Sequence, residues 1–194
     1  MTHRYRPSRD RRAYTGVGSR ETPDAVLDFM ADLAAALARQ GWILRSGGAD
    51  GADTAFEEGA LSVGGATEIF LPWPGFNRHR SRLSSVGTEA LGRASQMHPV
   101  WGRLSSAVQK LHGRNVYQVL GRTLAQPSTF LVCWTPDGAV SSAQCTRATG
   151  GTGMAIRIAS AENVPVLNLC RRETHKKLEA WVAADCPRPG PWAR

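Results

Sequence analysis

The sequence has few cysteines and none of the spacings that bind zinc or carry out redox chemistry. Its four cysteines form no CxxC pair and accompany no histidine pair at zinc-ligand spacing: Cys133, Cys145, Cys170 and Cys186. Cys133 and Cys170 lie in or beside apolar runs, where a cysteine is usually a small buried hydrophobic residue. We therefore predict no bound metal or other cofactor, and a reducing compartment such as the cytoplasm.

Long hydrophobic runs and the common nucleotide motifs are also missing. No stretch approaches the roughly 20 apolar residues of a membrane helix, and no apolar segment behind the polar N-terminus makes a signal peptide. The P-loop pattern GxxxxGK[ST] is absent, and GxGxxG does not follow the first predicted strand. The five histidines have no partnered serine or cysteine that would indicate a hydrolase triad. We expect no membrane contact, no P-loop hydrolysis and no ordinary dinucleotide binding.

The net charge of +8 is concentrated at one end of the chain. Asp10 and five arginines contribute +4 within the first twelve residues: Arg4, Arg6, Arg9, Arg11 and Arg12. We predict a basic flexible arm over residues 1–12. Such an arm can grip a nucleic-acid backbone, but it is more often a solvated terminus, so nucleic acid is a possible partner that the sequence does not favour.

The remaining chain alternates between strand and helix patterns. With 194 residues and 42% hydrophobic content it is long enough for one core, and we predict one domain over 13–186 and a loose tail over 187–194. Strands are predicted over 12–18, 42–45, 67–71, 129–134 and 164–169, and helices over 24–40, 54–61, 104–120, 151–162 and 173–184, with an irregular middle. The pattern indicates an α/β Rossmann-like open sheet, mostly parallel, with about five strands and helices on both faces.

Three glycine-rich loops precede predicted helices, at 16–20, 46–53 and 149–153. In open α/β sheets, ligands bind beyond the carboxyl ends of the strands, and free N–H groups at a helix start attract anions. One such loop is usually a plain turn, but three at one edge favour a phosphate site. The candidate ligand residues in these loops are Gly18, Ser19, Arg20, Ser46, Gly47, Gly48, Asp50, Gly51, Gly150, Gly151, Thr152 and Gly153.

The segments GSRETP, SGGADGADTAFEEGA and GGTGMAIRIA together resemble the SLOG superfamily over about residues 13–170. This Rossmann-like superfamily includes the Lonely Guy phosphoribohydrolases and the DNA-processing A proteins. The segments LHGRNVYQVLG and FLVCWTPDG are most similar to small SLOG proteins of phages and prophages. The resemblance implies a nucleotide-binding fold and a homodimer or higher homo-oligomer that pairs through helices beside the site.

The chain departs from the phosphoribohydrolases, which cleave nucleoside 5′-monophosphates and carry PGGxGTxxE and MxxRK. Thr149 replaces the proline, Met154 the threonine, and Arg157 stands at the position of the catalytic glutamate. The arginine of the second motif is retained as Arg114, whereas Asn115 occupies the position of its lysine. The usual catalytic arrangement of that family is therefore incomplete here.

Other carboxylates are candidates for glycosidic cleavage, which needs a carboxylate near the sugar and a partner for the leaving base. We take Asp53, Glu57 and Arg114 as the candidate catalytic residues, and Asp137 as a further ligand-binding acid. Each acid also has a structural interpretation: Asp53 as a helix N-cap, Glu57 as a first-turn dipole partner and Asp137 in a Pro-Asp-Gly turn.

The candidate cations for a phosphate are Arg20, Arg114 and Arg157, because a guanidinium offers a planar fork of donors. Asn115 is a candidate to hydrogen-bond a base or ribose. Trp73, Phe76 and Trp134 lie in or beside predicted edge loops, where a stacked base would need an aromatic face, although core or lid packing is the commoner role of such residues.

Three functions fit these features. The first is a hydrolase that cleaves the N-glycosidic bond of a nucleoside or deoxynucleoside 5′-monophosphate. The second is a sensor or sequestering module that binds a nucleotide or nucleotide-derived signal without turnover. The third is single-stranded DNA binding like that of the DNA-processing A proteins.

Overall fold

Strands and helices alternate along the chain in the computed structural model, which describes residues 12–193. All but the last residue of the predicted basic arm lies outside the described residues. The strands are β1 (Ala13–Gly16), β2 (Ile43–Ser46), β3 (Thr67–Ile69), β4 (Leu131–Cys133) and β5 (Val166–Asn168). The helices are α1 (Asp24–Arg39), α2 (Ala52–Ser62), α3 (Thr88–Met97), α4 (Ser106–Leu120), α5 (Thr152–Ala161) and α6 (Arg172–Ala183).

The five strands form one parallel sheet in the order β3-β2-β1-β4-β5. The chain builds outward from β1 to β3 and then returns to the other side of β1 with β4. The carboxyl ends of β1 and β4 therefore flank the point where strand order reverses, which is where open α/β sheets bind ligands. The predicted Rossmann-like open sheet is confirmed.

Alternate side chains of the strands enter two separate cores. Phe130 and Val132 belong to the core under α1, α2 and α6, with Tyr14, Leu33 and Trp181. Leu131 and Cys133 belong to the core under α3, α4 and α5. Because successive residues of a strand point to opposite faces, a run such as FLVCW is apolar throughout. Helices thus cover both faces of the sheet, as predicted.

The irregular middle contains a helix that the sequence pattern does not predict. Residues 88–97 form α3, flanked by short 3-10 turns at Phe76–Arg78 and Trp101–Arg103. Only Ala90 and Ala94 of α3 are buried, so the apolar stripe is two small residues and gives little periodic signal. This helix packs on α4 and α5 and brings the following residues toward the edge of the sheet.

The C-terminal segment, predicted as a loose tail, contacts the core through Trp192. Its indole stacks on Phe130 with ring centroids 3.8 Å apart and meets Trp42 and Trp181 edge-on at 5.3 and 5.0 Å. Trp192 therefore contacts this core within the segment that the sequence predicts as a loose tail. None of the helices within residues 12–193 combines the length and the apolar character needed to cross a bilayer.

Candidate functional site

A cavity of about 740 Å³ lies at the carboxyl edge of the sheet. The loop after β1, the start of α2, one side of α4 and the start of α5 form its walls. Nine of the residues predicted from the sequence line it: Gly18, Ser19, Arg20, Asp53, Arg114, Asn115, Gly150, Gly151 and Thr152. The first and third glycine-rich loops therefore meet in one cavity at the reversal of strand order.

The start of α5 offers unused hydrogen-bond donors to the cavity. The N–H groups of Gly151 and Thr152 donate to no other described residue. A side chain added at Gly150 or Gly151 would meet no atom within 4 Å, so the backbone is open to an approaching group. Free N–H groups at the positive end of a helix dipole are a favourable setting for an anion.

Two exposed arginines line the same cavity. Arg20 follows β1, Arg147 precedes α5, and both are exposed residues of the cavity wall. Neither forms an ion pair with any residue in the described part of the chain. The loop that carries Arg20 lies close to α2, because a Cβ at Gly18 would approach the Cβ of Ala52 to 2.6 Å.

A buried ion pair forms the floor of the cavity. Nη1 of Arg114 donates to Oδ2 of Asp53 at 3.2 Å, and the side chains are 8% and 4% exposed. Burial raises the pKa of Asp53, while the charge of Arg114 and the N–H groups of Ala49 and Gly47 oppose that rise. Burial also lowers the pKa of Arg114, against the attraction of Asp53. Asp53 and Arg114, two of the three predicted catalytic residues, thus neutralise each other's charge.

Hydrogen bonds continue from this pair to the start of α5. With its amide oriented to satisfy its neighbours, Gln118 accepts from the N–H of Gly47 at 3.0 Å and from Nη1 of Arg114 at 2.8 Å. It donates to Oδ1 of Asn115 at 2.8 Å, and Nδ2 of Asn115 donates to the carbonyl of Gly151 at 3.1 Å. The network links two of the glycine loops through α4.

The second glycine loop is mostly occupied with holding the fold. The hydroxyl of Ser46 is buried and donates to the carbonyl of Gly16, and Gly47 makes room for the guanidinium of Arg114. Gly48 and Gly51 have positive φ values of 63° and 83° and form the turn into α2. Asp50 is exposed, 3.5 Å from Nδ2 of Asn77. None of these five predicted ligand residues lines the cavity.

Glu57 also lies apart from the cavity. Its Oε1 is 2.8 Å from Nε2 of His79, and Nδ1 of the same imidazole accepts from the N–H of Ser81. One helical turn separates Glu57 from Asp53, and that turn carries it away from the strand edge. Glu57 holds the loop after β3 onto α2, and the structure does not bring it together with the other predicted catalytic residues.

Asp137 supports the third glycine loop from behind. It lies in the turn closed by the bond from the N–H of Gly138 to the carbonyl of Thr135, and it accepts hydroxyl hydrogen bonds from Thr135, Thr146 and Thr149. Desolvation acts to raise the pKa of Asp137, but these hydrogen bonds outweigh it and hold that pKa well below its ordinary value. The carboxylate of Asp137 is thus already hydrogen-bonded to groups of the protein itself.

The remaining two predicted ligand residues lie behind the start of α5. Gly153 packs against the side chain of Thr149, and Nη1 of Arg157 contacts the hydroxyl of Ser142 at 3.4 Å. Neither lines the cavity. The arginine at the position of the phosphoribohydrolase glutamate is therefore not among the residues that line the cavity.

Two histidines that sequence reasoning missed form a wall of the cavity. His98, after α3, and His112, on α4, have ring centroids 4.7 Å apart at an angle of 43°. Burial and the charge of Arg157 lower the pKa of His98. Burial, His98 and Arg114 lower the pKa of His112 to about 4, so this imidazole is uncharged at neutral pH. A scattered histidine gives no motif, and His98 depends on the unpredicted α3.

The aromatic residues predicted to stack a base have other roles. Phe76 is buried, Trp73 meets it edge-on with centroids 5.3 Å apart, and Trp134 packs beside the core under α1. None of the three lines the cavity. Within residues 12–193 there is no group of three or more histidine, cysteine, aspartate or glutamate side chains that could hold a metal ion.

The family comparison agrees with the sequence resemblance. Residues 6–83 match the family model described as DNA recombination-mediator protein A. The predicted resemblance to the SLOG superfamily is confirmed by this match. No curated protein matches the chain.

Two proteins of known structure are similar to this chain at low sequence identity. The molybdenum cofactor carrier protein of Chlamydomonas reinhardtii is 20% identical, with a TM-score of 0.47 over 90% of this chain and 87% of its own. A second structure of the Moco carrier protein from the same alga is 21% identical, with a TM-score of 0.47 over 90% of this chain and 86% of its own. DNA processing protein A of Helicobacter pylori, described for its single-stranded DNA binding mode, is 14% identical, with a TM-score of 0.37 over 88% of this chain and 81% of its own.

Proposed function

We propose that the protein binds the phosphate group of a nucleotide or nucleotide-derived small molecule in this cavity, and that it binds without cleaving the ligand. The observation that carries the proposal is that two arginines without an ion pair among residues 12–193 and the open start of α5 line one cavity. Its volume of about 740 Å³ lies within the range of small-molecule sites, roughly 300–1,000 Å³.

The phosphate position follows from the donors. The N–H groups of Gly151 and Thr152 have no partner in the described part of the chain, and Arg20 and Arg147 line the same cavity. A dianionic phosphate satisfies both kinds of donor, because charge-assisted hydrogen bonds from guanidinium and from helix N–H groups are among the strongest in proteins. The neutral Asp53–Arg114 pair leaves this positive charge uncancelled.

Cleavage is less well supported than binding because the carboxylates are engaged. Asp53 is 3% exposed and already accepts from Arg114 and from the N–H of Ala49. Glu57 is paired with His79 outside the cavity. The exposed carboxylate of the lining is Glu21, next to Arg20. A glycosidase needs two carboxyl groups that both face the sugar, and these residues do not supply such a pair.

Isothermal titration of the protein with AMP, dAMP, GMP, CMP and ribose 5-phosphate tests the proposal. We expect saturable binding of at least one of these ligands at protein concentrations of about 100 μM, and hence Kd values up to roughly that range. Absence of heat for every ligand, supported by an unchanged Tm at millimolar ligand, would refute phosphate-ligand binding.

Gly151→Asp is the matching site variant. Its φ of −63° suits any residue and a new Cβ meets open space, so the fold should tolerate the change while a carboxylate enters the anion position. Loss of charge-assisted hydrogen bonds predicts affinity at least about tenfold weaker. Gly92→Asp makes the same change on the exposed side of α3 and should bind like wild type. Equal binding by both variants would place the phosphate elsewhere.

Chromatographic detection of free base in the same mixtures separates binding from N-glycosidic hydrolysis. We expect no base release above a protein-free control. Release that disappears in Glu21→Gln, an exposed position whose substitution spares the core, would instead favour the hydrolase hypothesis.

Single-stranded DNA binding is a second candidate, favoured by a row of arginines on the loop after β3. Arg78, Arg80 and Arg82 are exposed and form no ion pair with the residues of the described range. Three phosphate contacts predict a slope of log K against log salt of about −2 for a single strand. Replacing all three by glutamine should remove that slope, whereas Arg122→Gln, exposed beyond α4, should not. An unchanged slope in the triple variant would remove this candidate.

A further inference from the structure

We infer that His98 and His112 recognise the uncharged nucleobase of the ligand, so that the end of α3 and the adjoining face of α4 determine which phosphate compounds are bound. This inference rests on the proposed function, because it concerns the part of the same cavity that the phosphate site leaves free. It assigns a role to residues that belong to no motif in the sequence.

The cavity has two chemically different sides. The side formed by the first and third glycine loops carries the cations and the open backbone N–H groups. The lining residues from the end of α3 and from α4 include His98, His112, Val108 and Leu111, with Arg114 of the same helix neutralised by Asp53. A nucleotide has the same two-part chemistry, a charged phosphate and a flat uncharged base, and the distance between them is bridged by the sugar. The phosphate would meet the cations and the backbone N–H groups, and the flat base would meet the histidines and the aliphatic side chains. This match fixes the orientation of the ligand.

The two imidazoles form a corner suited to a planar ring. Their centroids are 4.7 Å apart and their planes meet at 43°, so the two imidazoles together offer a tilted aromatic surface to a planar ring. Offset or tilted stacking at centroid distances of about 4.5–7 Å is favourable for aromatic pairs. Val108 and Leu111 complete the wall with aliphatic surface.

His98 also offers a hydrogen-bond donor, its Nε2–H, to a bound base. Its Nδ1 accepts from the N–H of Val100 at 3.3 Å, so the neutral imidazole carries its proton on Nε2. Nε2 has no hydrogen-bond partner among residues 12–193 and is free to donate to a ring nitrogen or carbonyl oxygen of a base. The depressed pKa values of both histidines keep the corner uncharged at neutral pH, which suits an uncharged ring.

The experiment compares a base-containing ligand with one that lacks the base. AMP, GMP, CMP and UMP are titrated against wild type, His98→Ala, His98→Gln and His112→Ala, with ribose 5-phosphate as the base-free probe. Wild type should bind at least one nucleotide more tightly than ribose 5-phosphate. His98→Ala should weaken that nucleotide about 2- to 10-fold, the range for one uncharged hydrogen bond, and leave ribose 5-phosphate unchanged.

The glutamine variant separates recognition from packing. Gln places an N–H donor where Nε2 of His98 stands, so His98→Gln should restore most of the affinity lost in His98→Ala. His112→Ala should also lower nucleotide affinity selectively, because it removes the stacking face. Gln96→Ala, exposed on α3 and outside the lining, is the control and should bind like wild type.

The outcomes distinguish this inference from the proposed function. If wild type binds nucleotides and ribose 5-phosphate equally, or if His98→Ala weakens both ligands by the same factor, base recognition by this corner is wrong while phosphate binding stands. If wild type binds neither ligand, the proposed function itself has failed.

Discussion

Gly47 is the position where the smallest covalent change should most disturb the site. A Cβ at Gly47 would lie 1.2 Å from Nη1 of Arg114 and 2.3 Å from its Cζ, so alanine and the guanidinium cannot both occupy their places. Gly47 is not among the residues with positive φ, and alanine therefore meets no backbone strain. The effect of Gly47→Ala comes from displacing Arg114.

The magnitude follows from what the displaced guanidinium leaves behind. Asp53 remains 3% exposed without its partner. Removing one member of a buried ion pair costs about 3–5 kcal/mol. In a protein of this length 1 kcal/mol shifts the Tm by roughly 2–4 °C, so we expect the Tm to fall by roughly 6–20 °C.

The loss should grow as the pH rises. Burial raises the pKa of Asp53, and Arg114 opposes that rise. Without Arg114 the pKa in the folded variant moves further above the value of about 3.9 in an unfolded chain. The folded variant then holds a proton that the unfolded chain releases, so its stability relative to wild type decreases from about pH 4 up to the folded pKa.

Urea unfolding at pH 5 and pH 8 measures this difference. Gly92→Ala is the control, because its Cβ meets open space within α3; we expect it to be neutral or to stabilise by up to about 1 kcal/mol, equally at both pH values. A Gly47→Ala protein within about 1 kcal/mol of wild type at pH 8, or equally destabilised at both pH values, would contradict the close packing of Arg114 against Gly47.

Three further changes test other contacts. Asp137→Asn removes the charged acceptor of the threonine hydroxyls, and we expect a loss of about 1–2 kcal/mol at pH 7 in urea unfolding. Because the pKa of Asp137 is depressed in the folded state, this difference in unfolding free energy should be present above about pH 4 and disappear as the pH falls further. A difference that does not change with pH would contradict the prediction. Trp192→Ala should lower the unfolding free energy by about 1–3 kcal/mol, whereas a loose tail would give no change. Glu57→Gln should leave nucleotide affinity unchanged in calorimetry, since Glu57 contacts His79 and not the cavity; a tenfold loss would show otherwise.

The architecture could be predicted because its signals are local. The helix at residues 24–39 has one apolar face and stops before Gly41, and the FLVCW run is apolar because both faces of β4 are covered. The order of strands in the sheet could not be read from these patterns, because periodicity does not say which strand is the neighbour. The missed helix α3 buries only two alanines, so tertiary contacts rather than pattern determine it.

The site could be predicted less completely because side-chain partners are not local. Asp53 and Glu57 are one turn apart and chemically alike, yet Asp53 pairs with Arg114 from α4 and Glu57 with His79 from the loop after β3. Sequence spacing fixes their positions on α2 but not the elements that pack against them. Asp137 likewise lies in the predicted turn, but its carboxylate accepts hydrogen bonds from threonine hydroxyls of its own loop.

A glycine can stand at a position for either of two physical reasons, and the sequence does not distinguish them. At Gly18 and Gly47 a side chain would collide with Ala52 and Arg114, so the fold alone requires glycine there. At Gly151 the backbone is helical, with φ −63° and ψ −26°, and a Cβ would meet no atom within 4 Å. Glycine loses about 0.5–1 kcal/mol relative to alanine in such a conformation, so the contacts within the chain give no reason for it. The same openness at Gly92 lies on an outer surface, whereas Gly151 lines the cavity and its N–H has no partner among residues 12–193. We propose that a ligand atom takes the space that a side chain would fill at Gly151, and the carboxylate of Gly151→Asp is the most direct way to compete with it.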